Sequence, residues 1–66
     1  MNISVVIPLL NEYDSLRELH DWIAKVMQSN HFSYEIIFID DGSTDNSWEL
    51  ITELHKKDKN VKGILF

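Results

Sequence analysis

The sequence predicts an α/β protein in which strands and helices alternate as βαβαβ around a parallel sheet. Three observations carry that expectation. Ile3 to Ile7, ending in Pro8, and Glu35 to Ile39, stopped by a polar turn-forming cluster, are short apolar runs rich in β-branched residues. After each run, apolar positions recur at three- and four-residue steps, the period of an amphipathic helix. A third apolar stretch, Val61 to Phe66, follows the polar break Asp58-Lys59-Asn60. Strands that alternate with helices in this way form parallel sheets through right-handed crossovers.

Ile3, Val5, Val6 and Ile7, ending at Pro8, read as a strand buried on both faces. In the first helix Leu16, Leu19, Ile23, Val26 and Met27 form the apolar stripe, with Arg17, Glu18, Asp21, Lys25 and Gln28 between them. Ser15 with Glu18 has the spacing of a capping box, Asp14 places negative charge near the positive helix end, and Ser29-Asn30-His31 closes the helix. The second strand, Glu35-Ile36-Ile37-Phe38-Ile39, stops at Asp40-Asp41-Gly42-Ser43-Thr44-Asp45-Asn46. Leu50, Ile51 and Leu54 then resume helical spacing, with Asn46 and Glu49 as a cap pair and Lys56-Lys57 where cations suit a C-terminus.

Composition sets the boundaries. The 66 residues carry 6 Lys+Arg against 11 Asp+Glu, a net charge of −5, with 44% hydrophobic residues and no cysteine. Disulfide scaffolds and Cys-based zinc sites are excluded, a disordered chain does not fit, and scattered basic residues argue against nucleic acid as a partner. Neither a signal peptide nor a membrane-spanning run is present, so the visible chain is expected to be cytoplasmic. A chain this short buries only about 60% of its unfolded surface. Two helices wound consecutively lie on one face of the sheet, and the other face has no cover, so residues 1–66 read as an incomplete domain. The bare face and the edge of the third strand predict a homo-oligomer, by dimerisation or strand exchange.

In open α/β sheets ligands bind beyond the carboxyl ends of the strands. Two polar clusters fall there, Pro8-Leu9-Leu10-Asn11-Glu12 and Asp40-Asp41-Gly42-Ser43-Thr44-Asp45. Such a gathering of carboxylates suits a site that receives a donor or a cation, and equally suits turn chemistry followed by a helix cap. A dinucleotide fingerprint fails because no G-x-G-x-x-G follows the first strand, and an EF-hand fails because counting back from Gly42 puts Ile37 and Ile39 at ligand positions. A haloacid dehalogenase-type phosphatase fails because Ile39 stands at its nucleophile, and a receiver domain lacks its acidic pair after the first strand. Trp22 and Trp48 are expected to pack, His20, His31 and His55 to be solvated and not to bind metal, and Lys56, Lys57, Lys59 and Lys62 to complement a helix end, with membrane-surface contact as the alternative.

Pro8-x-x-Asn11-Glu12 after one strand and Asp40-Asp41-Gly42-Ser43-Thr44-Asp45 after the next closely resemble the opening of the inverting family 2 glycosyltransferases of the GT-A fold, a Rossmann-like nucleotide-binding architecture. The resemblance spans the whole chain, which covers only the opening part of such a domain. Asn60 to Phe66 is most similar to the polyprenyl-phosphate glycosyltransferases, the dolichyl-phosphate mannose synthase-like type. The resemblance implies a donor site for a UDP- or GDP-linked sugar. Pro8, Leu10, Asn11 and Glu12 would line one wall, with Leu10 where an aromatic is common, and Ile39, Asp40 and Asp41 the other. Asp41 would accept from the base N–H, Asp40 would hold the loop, Gly42 would permit the turn, and Ser43, Thr44 or Asn46 would cap the second helix. The Mg²⁺ or Mn²⁺ of the family and its catalytic base would come from residues outside this chain, so no catalytic or metal-binding residue is assigned within it and the chain alone is expected to be inactive. Downstream residues would bring any membrane association, at the cytoplasmic face. The alternative is a small self-associating α/β module without catalysis.

Overall fold

The strands and helices form in the expected order. The computed structural model describes residues 2–66, with β1 at Asn2–Leu9, α1 at Tyr13–Ser29, β2 at Ser33–Asp40, α2 at Ser47–Lys57 and β3 at Val61–Leu65. Both strand pairs are parallel and the sheet order is β1-β2-β3. Two register rows matter below: Leu9, Asp40 and Leu65 lie side by side, as do Pro8, Ile39 and Ile64.

Only one face of the sheet is covered, which corrects the reading of β1 as buried on both faces. Each right-handed crossover advances the chain by one strand in the same direction, so α1 and α2 fall on the same side. Leu9, Ile36, Phe38 and Val61 point to that side and form the core with Leu16 and Ile23 of α1 and Leu50, Ile51 and Leu54 of α2. Val6, Pro8 and Ile64 on the opposite face are exposed, while Ile37 and Ile39, shielded by strands on both sides, are half-buried. Lys62 on the bare face reaches Glu35 at 3.6 Å.

The helix ends differ from the expected caps. Helix α1 starts at Tyr13, ahead of Ser15, so Ser15 lies inside the first turn and its hydroxyl donates back to the Glu12 backbone oxygen at 3.2 Å and to Glu12 Oε2 at 3.0 Å. The Ser15–Glu18 box therefore does not form. At the other end Phe32 N–H bonds Met27 O at 3.0 Å and His31 N–H bonds Gln28 O at 3.1 Å, a Schellman closure with His31 at φ 56°. A side chain in that left-handed region costs about 1–2 kcal/mol, whereas glycine there costs little beyond its added freedom in the unfolded chain. His31→Gly is expected to raise the stability by about 0.5 kcal/mol, seen as a rise of a few degrees in a thermal melt. His31→Ala, which keeps the Cβ, should give no such rise.

Several side chains expected to be solvated or packed exchange roles. Trp22 is 65% exposed, because it stands on the flank of α1 beyond the stripe that meets the sheet. Trp48 does pack, against Gly63 of β3, where an added Cβ would lie 2.7 Å from Ile51 Cγ2 and 3.1 Å from Trp48 Cζ3. His20 is not solvated. Its Nε2 lies 3.0 Å from Asp58 Oδ2, joining α1 to the α2–β3 turn. His55 Nδ1 meets Val61 O across the same turn.

Burial of the Asp58 carboxyl works against its charge, but the Asn60 N–H, the His20 ring and the Tyr34 hydroxyl outweigh it and hold its pKa below the usual carboxylate range. A lowered folded-state pKa gives stability that is present above the unfolded value, about 3.9, and lost as the pH falls through the folded one. The melting temperature should therefore drop on acidification below about pH 4, with a shallower drop in Asp58→Asn. A wild-type and an Asp58→Asn curve of equal slope would remove Asp58 from the acid response.

Candidate functional site

Parallel pairing of β1 and β2 sets the loops after Leu9 and Asp40 beside each other at one sheet edge. Both loops carry polar side chains whose local hydrogen bonds compete with regular structure, and here they bond each other. The Asn11 carboxamide oxygen accepts the Thr44 N–H at 2.8 Å and the Asp45 N–H at 3.2 Å. In return Asn11 N–H donates to Ser43 Oγ at 2.8 Å, and Glu12 N–H donates to Ser47 Oγ at 3.1 Å. Asn11 at φ 53° and Gly42 at φ +83° turn the chain through the left-handed region that makes this approach possible.

Asp45 caps both helices. Its Oδ1 accepts the Ser47 N–H at 2.9 Å at the start of α2, and its Oδ2 accepts the Tyr13 N–H at 3.3 Å at the start of α1. Bonding with Ser47 is the largest cause and lowers its pKa; desolvation opposes it, and the Tyr13 N–H adds to the lowering. Ser43, Thr44 and Asn46, expected to supply that cap, do not: Asn46 occupies the N-cap position of α2 without a side-chain bond. The Asp45-Asn46-Ser47 spacing, an acidic residue bonding its own backbone two residues on, is the signal that could have identified it.

The expected site residues fall into two groups. Asp40 is fully buried on the helix side, with Oδ1 accepting the Ser43 N–H at 2.8 Å and Oδ2 without a partner among the described residues. Asn11, as described, is occupied with the neighbouring loop. Pro8, Leu10, Glu12 and Asp41 are exposed at the sheet edge, and Ile39 lies half-buried beside Pro8 on the uncovered face. Glu12 Oε2 receives the Ser15 hydroxyl at 3.0 Å. Asp41 anchors its backbone N–H on Leu9 O at 3.1 Å, while its carboxylate stands outside the bonds that join the loops. Among the described residues the Asp41 carboxylate has no bonded partner, and it belongs to the same sheet edge as Pro8, Leu10 and Ile39, on a turn held by its neighbours.

The model of the family described as Glycosyl transferase family 2 matches residues 4–66. The Dolichol-phosphate mannosyltransferase of Pyrococcus furiosus is 42% identical over 57 residues, 86% of this chain and 16% of that protein. The Undecaprenyl-phosphate 4-deoxy-4-formamido-L-arabinose transferase of Yersinia pestis (strain Pestoides F) is 48% identical over 64 residues, 96% of this chain and 20% of that protein. The chain thus spans a fifth or less of the length of these curated relatives.

Proposed function

Because the chain belongs to glycosyl transferase family 2, we propose that it forms the nucleotide-recognising part of a sugar-donor site, in a protein that transfers a sugar from a nucleotide diphosphate to an acceptor with inversion. The observation that carries the reading is the free Asp41 carboxylate beside Pro8, Leu10 and Ile39, on a loop that Asp40, Asn11 and Asp45 hold in place. Its acceptor oxygens suit the N–H edge of a uracil or guanine, and the apolar ledge suits the face of the base. Glu12, at the start of α1, borders the same edge, and a carboxylate there suits ribose hydroxyls. In this reading Asn11 and Asp40 belong to the site by shaping it.

A divalent cation does not fit the carboxylates present. Asp40 is buried with one oxygen bonded to Ser43 N–H, Asp41 is exposed, and no cluster of metal-ligating groups occurs among the described residues. Mg²⁺ or Mn²⁺ for the diphosphate, and the general base for inversion, would have to be held by residues outside these 66, so binding without turnover is the expected property of this chain. The names of the two relatives point to a polyprenyl-phosphate acceptor, which would place the work at a membrane surface. No helix among the described residues is long and apolar enough to cross a membrane.

Titration of the chain with UDP and GDP, with and without Mn²⁺, tests the reading. Amide shifts confined to Ile39 to Thr44 and the surroundings of Glu12 support it, and a folded chain without shifts at millimolar nucleotide sinks it. A second reading, a self-associating module, is favoured by the apolar residues left uncovered, with Val6 at 55%, Ile64 at 46% and Phe66 at 77% exposure.

A further inference from the structure

The outer edge of β3 is complementary to itself. Its ladder with β2 is fixed at both ends, by Ile36 N–H to Asn60 O at 2.8 Å and Phe66 N–H to Asp40 O at 2.9 Å. Parallel strands alternate the direction of their backbone groups, so with this register Lys62 and Ile64 bond β2, while Val61, Gly63 and Leu65 turn their N–H and C=O outward. The outward groups of Val61 are already engaged, its N–H by Asp58 O at 3.1 Å and its C=O by His55 Nδ1. Among the described residues, Gly63 and Leu65 have no partner for these groups.

Beside that free edge lies a cleft of about 440 Å³ lined by Trp48, Ile51, Thr52, His55, Lys62 and Gly63, mostly apolar. Gly63 lets Ile51 and Trp48 approach β3 closely, since an added Cβ would lie 2.7 Å from Ile51 Cγ2, and the cleft opens beside them at the strand's outer edge. Leu65 shares the helix side of β3 with Gly63, one pleat on, and is 50% exposed.

We propose that β3 pairs antiparallel with β3 of a second copy of this chain, about a two-fold axis at Ile64. That register sets Gly63 opposite Leu65 of the second copy in a hydrogen-bonded pair, and by symmetry Leu65 opposite its Gly63. The free N–H and C=O groups of Gly63 and Leu65 are then all matched. Residues directly opposite in an antiparallel pair share a face, so the second copy's Leu65 side chain lies over the cleft that Trp48, Ile51 and His55 flank beside Gly63. Lys62 falls opposite Phe66 of the second copy, cation against ring and not against a like charge. The edge of β1 offers no equal match: Pro8 lacks a donor, and the residues that share its outward parity, Ser4 and Val6, stand on the bare face.

The inference deepens the second reading above, and its test separates the two. Sedimentation equilibrium from micromolar to millimolar chain is combined with amide hydrogen exchange. The expected result is a dimer whose formation slows exchange of Gly63 and Leu65 at least tenfold and leaves Ser4 and Val6 unchanged. Leu65→Pro removes one free N–H and the seated side chain while leaving the ladder to β2 intact, and it should weaken dimerisation at least tenfold. Ile64→Lys and Ile64→Glu, each set against its own copy, should be monomeric alone and dimerise when mixed, which an unfolded variant cannot do. A chain monomeric at every concentration overturns both the module reading and the edge pairing. A dimer in which Gly63 and Leu65 still exchange freely overturns the edge pairing alone.

Discussion

Asp41→Ala is expected to weaken nucleotide binding about ten- to a hundredfold without changing the melting temperature. A hydrogen bond to a charged group has a net value of about 1.5–3 kcal/mol, and each 1.4 kcal/mol is a factor of ten in Kd. Stability should be untouched because the loop depends on the Asp41 N–H to Leu9 O bond, at 3.1 Å, which alanine keeps. The size of the loss also reports the base. Guanine presents two adjacent donors, N1–H and the 2-amino group, and a carboxylate can accept both, whereas uracil presents one. A GDP site should lie toward the hundredfold end and a UDP site toward the tenfold end. Asp41→Asn, with one acceptor oxygen and no charge, should fall between wild type and alanine. Isothermal titration on the three proteins decides it, and equal affinity in all three would remove Asp41 from the site. Association of the chain with itself should be the same in all three, since β3 and its cleft do not involve this loop.

Periodicity made the core legible: Leu16 and Ile23, Ile36 and Phe38, and Leu50, Ile51 and Leu54 are the buried positions that three- and four-residue or alternate spacing selects. The one-sidedness of β1 was also written in the chain, since polar Asn2 and Ser4 share parity with exposed Val6 and Pro8. The β-branched run conceals that alternation. What local spacing cannot reveal is a bond between distant segments. Asp45 caps α1 from 32 residues away, Thr44 meets Asn11 across 33, and His20 finds Asp58 across 38. These partners are set by the parallel register and the crossovers, so the α1 cap read from its neighbours, Ser15 with Glu18, gives way to one supplied through the fold, whereas at α2 the Asn46–Glu49 pair gives way to a local one, Asp45 with Ser47. The donor loop's residue types were legible as a family pattern. Their division into one carboxylate without a bonded partner, that of Asp41, and several holding groups depends on that same pairing.

That division makes Asn11 the residue whose loss should be felt most widely. Asn11→Ala removes the oxygen that accepts the Thr44 and Asp45 N–H groups, at 2.8 and 3.2 Å, and leaves a Cβ at φ 53° without the local bonding that makes asparagine tolerable there. Two lost bonds at about 1 kcal/mol each, with part of the left-handed penalty of about 1–2 kcal/mol, amount to roughly 2–3 kcal/mol. A core of this size rarely supplies more than roughly 3–5 kcal/mol, so the variant should melt about 10–20 °C lower. Asn11→Gly relieves the backbone but not the lost acceptor, so the gap between the two variants isolates the strain. Asn11→Asp keeps the acceptor and adds charge near Asp45, a penalty that salt should screen. The functional consequence follows from the same bonds. Pro8 and Ile39 stay paired in the sheet, but with the latch open the segment carrying Leu10 and Glu12 is held less firmly against the turn carrying Asp41. Asn11→Gly, measured well below its melting temperature, should therefore bind nucleotide less tightly although no ligand-facing group has changed. Melting within 2 °C of wild type in Asn11→Ala, or unaltered affinity in Asn11→Gly, would show that the two loops keep their places without the latch.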